Sequence, residues 1–180
     1  MAAANLFARN GLAATRMQDI ARASNISLGL AYHYFSSKEE LFNAIVDIAI
    51  TASLKSYRMA AALTGSGIDR LKALVEFIFP HAFGGEGEAF FHIMIQVMTM
   101  ESVPAQAIAT LQANWPLYTA ELSRIFQAGI DDGSIRRAPV DQLVMILSSL
   151  IQGTSVLSFF GRDEVEFIPK PETVLQLFAP

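Results

Sequence analysis

Cysteine is absent from this chain of 180 residues, and so is the strong positive charge that many nucleic-acid-binding proteins carry. Without cysteine the chain has no disulfide scaffold and no thiolate metal ligand, and it is compatible with a reducing compartment. No segment alternates between apolar and polar residues with period two, so strands are not expected. The first ten residues lack the charged start and apolar core of a secretory signal. We therefore expect an all-α, cytoplasmic protein.

The net charge of −4 is divided unevenly along the chain. Residues 1–46 carry four basic side chains against three acidic ones, a balance of +1, whereas the remainder carries nine against fourteen, a balance of −5. A weakly basic head on an acidic body would turn the head toward phosphate. Because 52% of the residues are hydrophobic, the chain can build a full core, in one domain or in a small domain fused to a larger one.

Two short helices in close succession are predicted between residues 15 and 35. Thr15 can cap the first helix, which has a small apolar side around Ile20. A polar group at residues 24–27 then interrupts the pattern, as a tight turn does. In residues 28–35 the apolar positions recur at spacings of three and four, which marks one face of a helix. Two short helices joined by three or four residues form the helix-turn-helix, whose second helix enters the DNA major groove.

A capping box follows immediately in the run Ser37-Lys38-Glu39-Glu40. Ser37 can cap a new helix forward, while Glu40, three residues later, caps back. With this box included, residues 11–42 resemble the amino-terminal domain of the TetR family of transcriptional regulators. The matching features are Gly11, Thr15, Ile20-Ala21, Ala23, Ile26-Ser27, Gly29, the run Tyr32-His33-Tyr34-Phe35 and Lys38-Glu39.

The resemblance implies that the second short helix contacts DNA. Leu28 and Leu30 cannot donate a hydrogen bond and could contact only thymine methyl groups. Many relatives carry lysine and threonine-like residues at these two positions, so we expect a reliance on DNA shape. Thr15 and Lys38 are expected to meet phosphate, Thr15 at a helix N-terminus and Lys38 as a point charge. The full predicted DNA-binding set is Thr15, Arg16, Ser27, Leu28, Gly29, Leu30, Tyr32, His33 and Lys38, whereas Ala31 and Phe35 are expected to pack inside the head.

The rest of the chain is rich in methionine and aromatic residues, which line apolar ligand cavities. The resemblance implies an inducer pocket among the middle helices, and a small apolar or aromatic effector fits such a lining. For each residue taken singly, packing in a plain core is the alternative. The predicted pocket residues are Phe77, His81, Phe83, Phe90, Phe91, Met94, Met98, Trp115 and Tyr118, with His92 and Gln96 as further sparse polar groups.

Glu88 and His92 lie one helical turn apart, and His81 is close to them in sequence. Two ligands on one helix are a weak metal signal, and a histidine beside a surface glutamate is the simpler interpretation. We therefore expect neither a metal nor a cofactor. No serine–histidine–acid spacing, phosphate loop or pair of carboxylates supports catalysis. A small-molecule binding protein or an enzyme on the same helical body, without DNA-regulatory activity, is the alternative function.

A charge-free run from Leu143 to Phe160 holds several serine and threonine residues that would be costly in lipid, so no membrane span is expected. One side of this predicted helix is core-like, and the other mixes small and apolar groups, as packing between subunits requires. In the family that the sequence resembles, the last two long helices pair across a two-fold axis into a four-helix bundle. The implied homodimer interface, on predicted helices 115–130 and 139–160, comprises Leu122, Phe126, Met145, Ser149, Gln152 and Val156.

The resemblance implies a small three-helix helix-turn-helix DNA-binding domain at residues 1–46, fused to a larger helical ligand-binding and dimerisation domain at residues 47–180. The family's first helix is longer, so we expect the first helix here to be incomplete, with Gly11 at its end. The implied function is a ligand-responsive transcriptional regulator, a repressor that binds a palindromic operator on double-stranded DNA as a homodimer. A small apolar or aromatic effector would release it.

Overall fold

A computed structural model describes residues 1–82, 87–158 and 169–180 of the chain. These ranges contain nine helices and no strand, which confirms the predicted all-α class. None of the helices described is long and apolar enough to cross a membrane. In chain order the helices are α1 (Ala2–Ala14), α2 (Met17–Ala23), α3 (Leu28–Tyr34), α4 (Lys38–Ala61), α5 (Gly67–Ala82), α6 (Glu88–Thr99), α7 (Ala105–Asp132), α8 (Val140–Ser158) and α9 (Pro171–Gln176).

The chain forms two compact units, and the boundary between them falls within helices. The first unit comprises Met1–Thr51 and Glu86–Ala113, and the second comprises Ala52–Gly85 and Asn114–Pro180. The predicted division at residue 46 does not coincide with this boundary, which cuts α4 and α7. The first unit takes in α6 because that helix packs against α1. A functional division into a DNA-binding domain and a ligand-binding and dimerisation domain stays a prediction.

The core of the first unit is centred on Phe7 and Phe42, whose rings meet edge to face with centroids 5.3 Å apart. Both side chains are fully buried. The spacing of Leu41, Ile45 and Ile48 predicts one buried stripe along α4. Leu41 and Ile45 are buried, but Ile48 is 56% exposed. The reason is that the buried face of α4 is centred near Phe42 and not near Leu41, which leaves Ile48 beyond its edge.

Helix α7 is a single helix of 28 residues, whereas the sequence predicts one helix ending at Ala113 and another beginning at Trp115. Pro116 lies inside it. A proline removes one backbone donor and commonly ends a helix, so the sequence pattern divides here. The helix continues because its apolar stripe is buried on both sides of the proline, at Leu111, Tyr118 and Leu122.

The core of the second unit includes two residues that the sequence predicts at a subunit interface. Leu122 and Phe126 are 2% and 0% exposed, and the Phe126 ring lies 5.1 Å from that of Phe178. Both side chains are therefore used inside the protomer, and their predicted place in the dimer interface is wrong. The apolar stripe of α7 predicts burial, but it cannot distinguish a partner subunit from the segment that follows α9.

Candidate nucleic-acid interface

The turn between α2 and α3 has the local geometry of a helix-turn-helix. Asn25 has a φ of 54°, the one positive value among the non-glycine residues described, and asparagine tolerates this left-handed conformation. The N–H groups of Asn25 and Ile26 donate to the carbonyl oxygens of Arg22 and Ala21, at 3.1 and 3.0 Å, and so end α2. Ser27 begins α3, because its Oγ accepts the N–H of Leu30 at 3.1 Å.

The predicted groove-facing residues lie on the outer side of α3. Ser27, Leu28, Gly29, Leu30, Tyr32 and His33 are all exposed. Ala31 is 5% exposed and anchors the helix, as predicted, while Phe35 is half-buried. The outer side of α3 is therefore open to a partner as large as double-stranded DNA. The individual DNA contacts stay predictions.

Tyr34 belongs to the same exposed surface, and sequence reasoning missed it. Its side chain is 68% exposed, more than that of Tyr32, and its ring lies edge to face with His33 at 5.3 Å. An apolar body with a hydroxyl at its tip suits a contact with a phosphate or a groove wall. The available signal was its spacing of four from Leu30, which places both residues on one side of the helix.

Thr15 is buried and does not cap α2. Its side chain is 1% exposed, and its Oγ1 donates to the carbonyl oxygen of Gly11 at 2.7 Å, with Leu6 O at 3.3 Å. Arg16 occupies the N-cap position of α2 and makes no side-chain cap. The predicted capping and phosphate roles of Thr15 are therefore corrected, because its hydroxyl is directed back to the end of α1. Arg16 is exposed, and its DNA contact stays a prediction.

Lys38 is likewise bound to the end of α1. Its Nζ donates to the carbonyl oxygens of Leu12, Ala13 and Thr15, at 2.8, 3.0 and 3.2 Å. An ammonium group has three protons, so these bonds use all of them. The positive charge also suits the negative end of a helix. In this structure Lys38 caps α1, and its phosphate contact stays a prediction.

The capping box at the start of α4 forms with its return bond shifted by one residue. The N–H of Glu40 donates to Ser37 Oγ at 3.1 Å, as predicted. The Glu40 carboxylate accepts from the N–H and the hydroxyl of Ser36, at 2.7 and 2.6 Å, and not from the N–H of Ser37. These bonds from Ser36 hold the pKa of Glu40 below its usual value. These hydrogen bonds hold the short connection between α3 and α4 in place.

Gln96 of α6 satisfies backbone carbonyls near the kink in α1. Gly11 has φ 75° and ψ 168° inside α1, which interrupts the helical hydrogen bonding there. Gln96 is 4% exposed, and its Nε2 donates to the carbonyl oxygens of Phe7 and Ala8, at 2.9 and 3.1 Å. The sequence predicts Gln96 as a polar group of a ligand pocket, whereas in the structure its amide holds α1 in place. Gly11 has the positive φ expected at a helix end, and it divides α1 into two helical segments that meet at a kink.

The predicted pocket residues are divided between the two units. Phe90, Phe91 and Met94 are half-buried on α6 and Met98 is 39% exposed, all in the first unit. Phe77 is 44% exposed and Trp115 half-buried, both in the second unit. The side chain of His81 and all of Phe83 lie outside the described residues. The pocket stays a prediction.

Tyr118, the remaining predicted pocket residue, is 8% exposed in the second unit. Its ring lies edge to face with that of Tyr57 at 5.1 Å. Burial raises the pKa of both phenols, so both remain neutral hydrogen-bonding groups at physiological pH. This pair of neutral tyrosines, one buried and one half-buried, is suited to an uncharged ligand as well as to a plain core.

A separate cavity of about 490 Å³ lies at the turn between α7 and α8. None of the predicted pocket residues lines it. Its lining consists of Ile130, Asp131, Asp132, Gly133, Ile135, Arg136, Arg137 and Pro180.

Glu88 and His92 are neighbours on α6, with the His92 Nε2 3.9 Å from a Glu88 carboxylate oxygen. His92 is buried, at 6% exposure. No group of three or more histidine, aspartate or glutamate side chains suited to a metal ion occurs in the described part of the chain. The geometry agrees with the simpler interpretation of a histidine beside a glutamate.

From Met145 onward, the outward side of α8 carries no charge and mixes apolar residues with small or uncharged polar ones. Met145 and Val156 are 56% and 42% exposed, Ser149 is exposed and Gln152 is half-buried. Leu157 is 61% exposed, although its spacing from Leu143 and Leu150 predicts that it lies on the core-like side of the helix. A Cβ added at Gly153 would meet nothing within 4 Å. This side of α8 is therefore accessible to a second helix, and the predicted dimer contacts of these residues stay predictions.

Known proteins share this architecture. Residues 1–45 match the model of the bacterial regulatory proteins of the tetR family. The HTH-type transcriptional repressor KstR2 of Rhodococcus jostii is 30% identical over 135 residues, which are 74% of this chain and 64% of the relative. A solved Saccharomonospora viridis protein, described as a transcriptional regulator in complex with choline, matches with a TM-score of 0.80 at 20% identity, over 98% of this chain and 88% of that one. The ketosteroid transcriptional regulator KstR2 of Mycobacterium tuberculosis matches at 0.71 and 24% identity, over 98% and 86%.

An exposed recognition helix on an all-helical body defines a helix-turn-helix transcriptional regulator as the class of protein. Residues 1–45 belong to the TetR family of bacterial regulatory proteins, and most of the chain is similar to transcriptional regulators of that family. Proteins of this family are regulators and not enzymes, so the enzyme alternative is set aside. The matched region spans just under two thirds of the length of the curated relative, at 64%. Operator, effector and assembly are accordingly treated as proposals.

Proposed function

We propose that the protein is a transcriptional repressor that binds a palindromic DNA operator as a homodimer and is released by a small apolar or aromatic effector. The observation that supports it most directly is the outer side of α3, where Leu28, Leu30, Tyr32 and Tyr34 are between 41% and 68% exposed. Exposing several large apolar side chains together is energetically unfavourable. A recognition helix would bury them in the major groove when it binds DNA. A DNA-bound repressor of this kind acts in the cytoplasm of a bacterium.

A homodimer is supported by the outward side of α8. Met145, Ser149, Gln152 and Val156 follow one another at spacings of three or four along the helix, so they form a continuous stripe. Small groups at Ser149 and Gly153 permit close approach of a second helix. An isologous pair of such stripes would place two recognition helices on successive major grooves of a palindromic site.

An apolar effector is supported by the aromatic and methionine residues of α6 and by the neutral Tyr57–Tyr118 pair. The relative KstR2 of M. tuberculosis is described as a ketosteroid regulator, which is in keeping with an apolar ligand. A ligand can release DNA only if it binds the DNA-free conformation more tightly. Useful release requires a coupling free energy of about 1–3 kcal/mol.

Helix α6 provides a route for this coupling within the first unit. It carries the predicted pocket residues Phe90, Phe91 and Met94, and two residues further on it carries Gln96, which holds the carbonyl groups of Phe7 and Ala8. α1 packs in turn against α2. An effector that moves α6 would therefore alter the support of the helix-turn-helix. α4 is the second route, because the chain passes through it from the first unit into the second.

The experiment that tests this function is selection of binding sites from random duplex DNA. It should be run at about 100 mM salt, because phosphate contacts make affinity strongly salt-dependent. Enrichment of an inverted repeat is the expected result. Absence of any enriched sequence would refute the DNA-regulatory function and favour a small-molecule binding protein.

Release is tested on the selected operator with a panel of apolar, aromatic and charged compounds. A compound of the first two classes is expected to raise the dissociation constant for DNA at constant salt. A compound that binds tightly to the protein but leaves this constant unchanged would show that binding and DNA release are not coupled. Release by charged compounds alone would contradict the proposed class of effector.

A further inference from the structure

Gly29 is the second residue of α3, and no contact in the described part of the chain explains why it is a glycine. A Cβ added there would meet only Ser27 Oγ, at 4.0 Å, so the space beside it is open. Its backbone is helical, and its φ is not in the left-handed region that favours glycine. Glycine within a helix costs up to about 1 kcal/mol relative to alanine. The described contacts of the chain therefore do not require a glycine here, whereas a partner that approaches the helix backbone closely would.

The positions around Gly29 show where that molecule would lie. Ala31 marks the inner side of α3, and each residue turns the helix by about 100°. Gly29 and His33 therefore lie on the side opposite Ala31. Leu28 and Tyr32 flank them on one side, and Leu30 and Tyr34 flank them on the other. The centre of the outer surface is thus a bare backbone between two leucines.

We propose that this surface recognises thymine 5-methyl groups in the operator, with Gly29 allowing the helix backbone to approach the base edges closely. The inference rests on the proposed DNA-binding function. Leucine offers neither a donor nor an acceptor, and the one apolar group on a base edge in the major groove is the methyl group of thymine. Leu28 and Leu30 are 41% and 42% exposed in the protein alone, so both have apolar surface left to bury.

The first test replaces each thymine of the selected half-site by deoxyuridine, which removes only the methyl group. Binding is expected to weaken about three- to fivefold for each methyl group that contacts a leucine, as burial of one CH₂-sized group predicts. With L28A or L30A the corresponding deoxyuridine should have no further effect, because the partner is already absent. Deoxyuridine outside the half-site is the control for DNA. L63A, which removes a leucine that is 44% exposed in the second unit, is the control for the protein.

The second test is the variant G29A, whose two readouts should move in opposite directions. Thermal stability is expected to rise, since the helix gains propensity and the Cβ meets open space. Affinity for the operator is expected to fall at least about tenfold, because the added methyl group holds the backbone away from the base edges. G29A that binds the operator as tightly as the original protein would overturn the close approach.

The outcomes separate this inference from the function on which it rests. An operator that tolerates deoxyuridine at every position within twofold, or that has no thymine in its half-site, overturns the methyl recognition and leaves the repressor intact. Equal sensitivity to deoxyuridine in L28A, L30A and the original protein overturns it as well. If no operator is selected at all, both proposals fall.

Discussion

The backbone of Gly67 touches the backbone of Gly129, where the start of α5 crosses the last turns of α7. A Cβ placed on Gly67 would lie 2.1 Å from the nitrogen of Gly129, and one placed on Gly129 would lie 2.4 Å from the side chain of Ile135. Rotating a side chain cannot relieve the clash at Gly67, because the obstacle there is backbone. The two glycines therefore set how closely α5 and α7 pack.

The variant G67A is expected to lower the free energy of unfolding by at least about 2 kcal/mol, since the two helices must separate to admit the methyl group. Chemical denaturation followed by circular dichroism measures this change. G29A is the matched control, because its Cβ meets open space and should stabilise the protein by up to about 1 kcal/mol. Equal stability of G67A and G29A would contradict the close packing of α5 on α7.

Replacing Lys38 by methionine is expected to destabilise the first unit without altering the salt dependence of DNA binding. Three carbonyl groups at the end of α1 lose a charged donor, which predicts a destabilisation of about 1–3 kcal/mol. Each phosphate-binding cation contributes nearly one to the slope of log K against log salt, so the slope measured for K38M should stay constant. R16Q is the comparison, because removing a phosphate-binding guanidinium there should reduce the slope by about one per protomer. A reduced slope in K38M would return Lys38 to the phosphate-binding residues.

Replacing Gln96 by leucine is expected to cost about 1–3 kcal/mol of stability and to weaken DNA binding. The change keeps the volume of the side chain but leaves two buried carbonyl oxygens, of Phe7 and Ala8, without their donor. Q96E should be more harmful at neutral pH, because a carboxylate would face those oxygens. Unfolding curves for both variants check this, with Q106A at an exposed glutamine as control. Unchanged stability in Q96L would mean that α1 does not depend on α6.

Asp132 is expected to contribute stability that is lost in acid. Its carboxylate accepts from the N–H of Gly67 at 2.7 Å and from Ser134, and hydrogen bonds from Ser134 and Gly67 lower its pKa. A carboxylate whose pKa is lower in the folded than in the unfolded protein stabilises the fold at pH values above its unfolded pKa, which is about 3.9 for aspartate. This contribution disappears as the pH falls through the folded pKa. D132N should therefore melt below the original protein at pH 7, and the difference should shrink steadily as the pH falls below about 4. D131N, which removes the neighbouring charge, should melt close to the original. A D132N deficit that stays the same from pH 7 down through acid pH would exclude this mechanism.

A charge on the outward side of α8 is expected to prevent dimerisation. M145E or V156E would place a carboxylate in an apolar contact without a partner, at a cost of several kcal/mol. Sedimentation should show about twice the chain mass of 19.6 kDa for the original protein and a single chain for the variants. M59E changes a methionine that is 62% exposed on α4 and should remain dimeric. Dimers of M145E and V156E would place the interface elsewhere.

Much of the architecture could be predicted because it depends on local pattern. The turn at residues 24–27 and the helix from Leu28 follow from polar interruption and a spacing of three and four, and both occur as expected. The Ser37 cap was predictable because its partner, Glu40, is three residues away. In α5, Leu71, Leu74, Val75 and Ile78 are all buried as their spacing predicts. Each of these features is decided by neighbours within one or two helical turns.

The roles of single polar and apolar side chains depended on partners distant in sequence. Thr15 and Lys38 look like phosphate-binding residues in the sequence, yet both bind the end of α1, and Lys38 does so across 26 residues from Leu12. Gln96 meets the carbonyl of Phe7 across 89 residues. Phe126 has the apolar character that an interface needs, but Phe178 covers it.

The sequence by itself determined the helices, the helix-turn-helix and the apolar character of the faces, because these follow from propensity, capping and periodicity along a short stretch of chain. Only the tertiary structure decided which carbonyl groups needed donors and which apolar faces were already covered. The physical reason is that a hydrogen bond or a packing contact has two partners. One sequence position reveals only the capacity to make it.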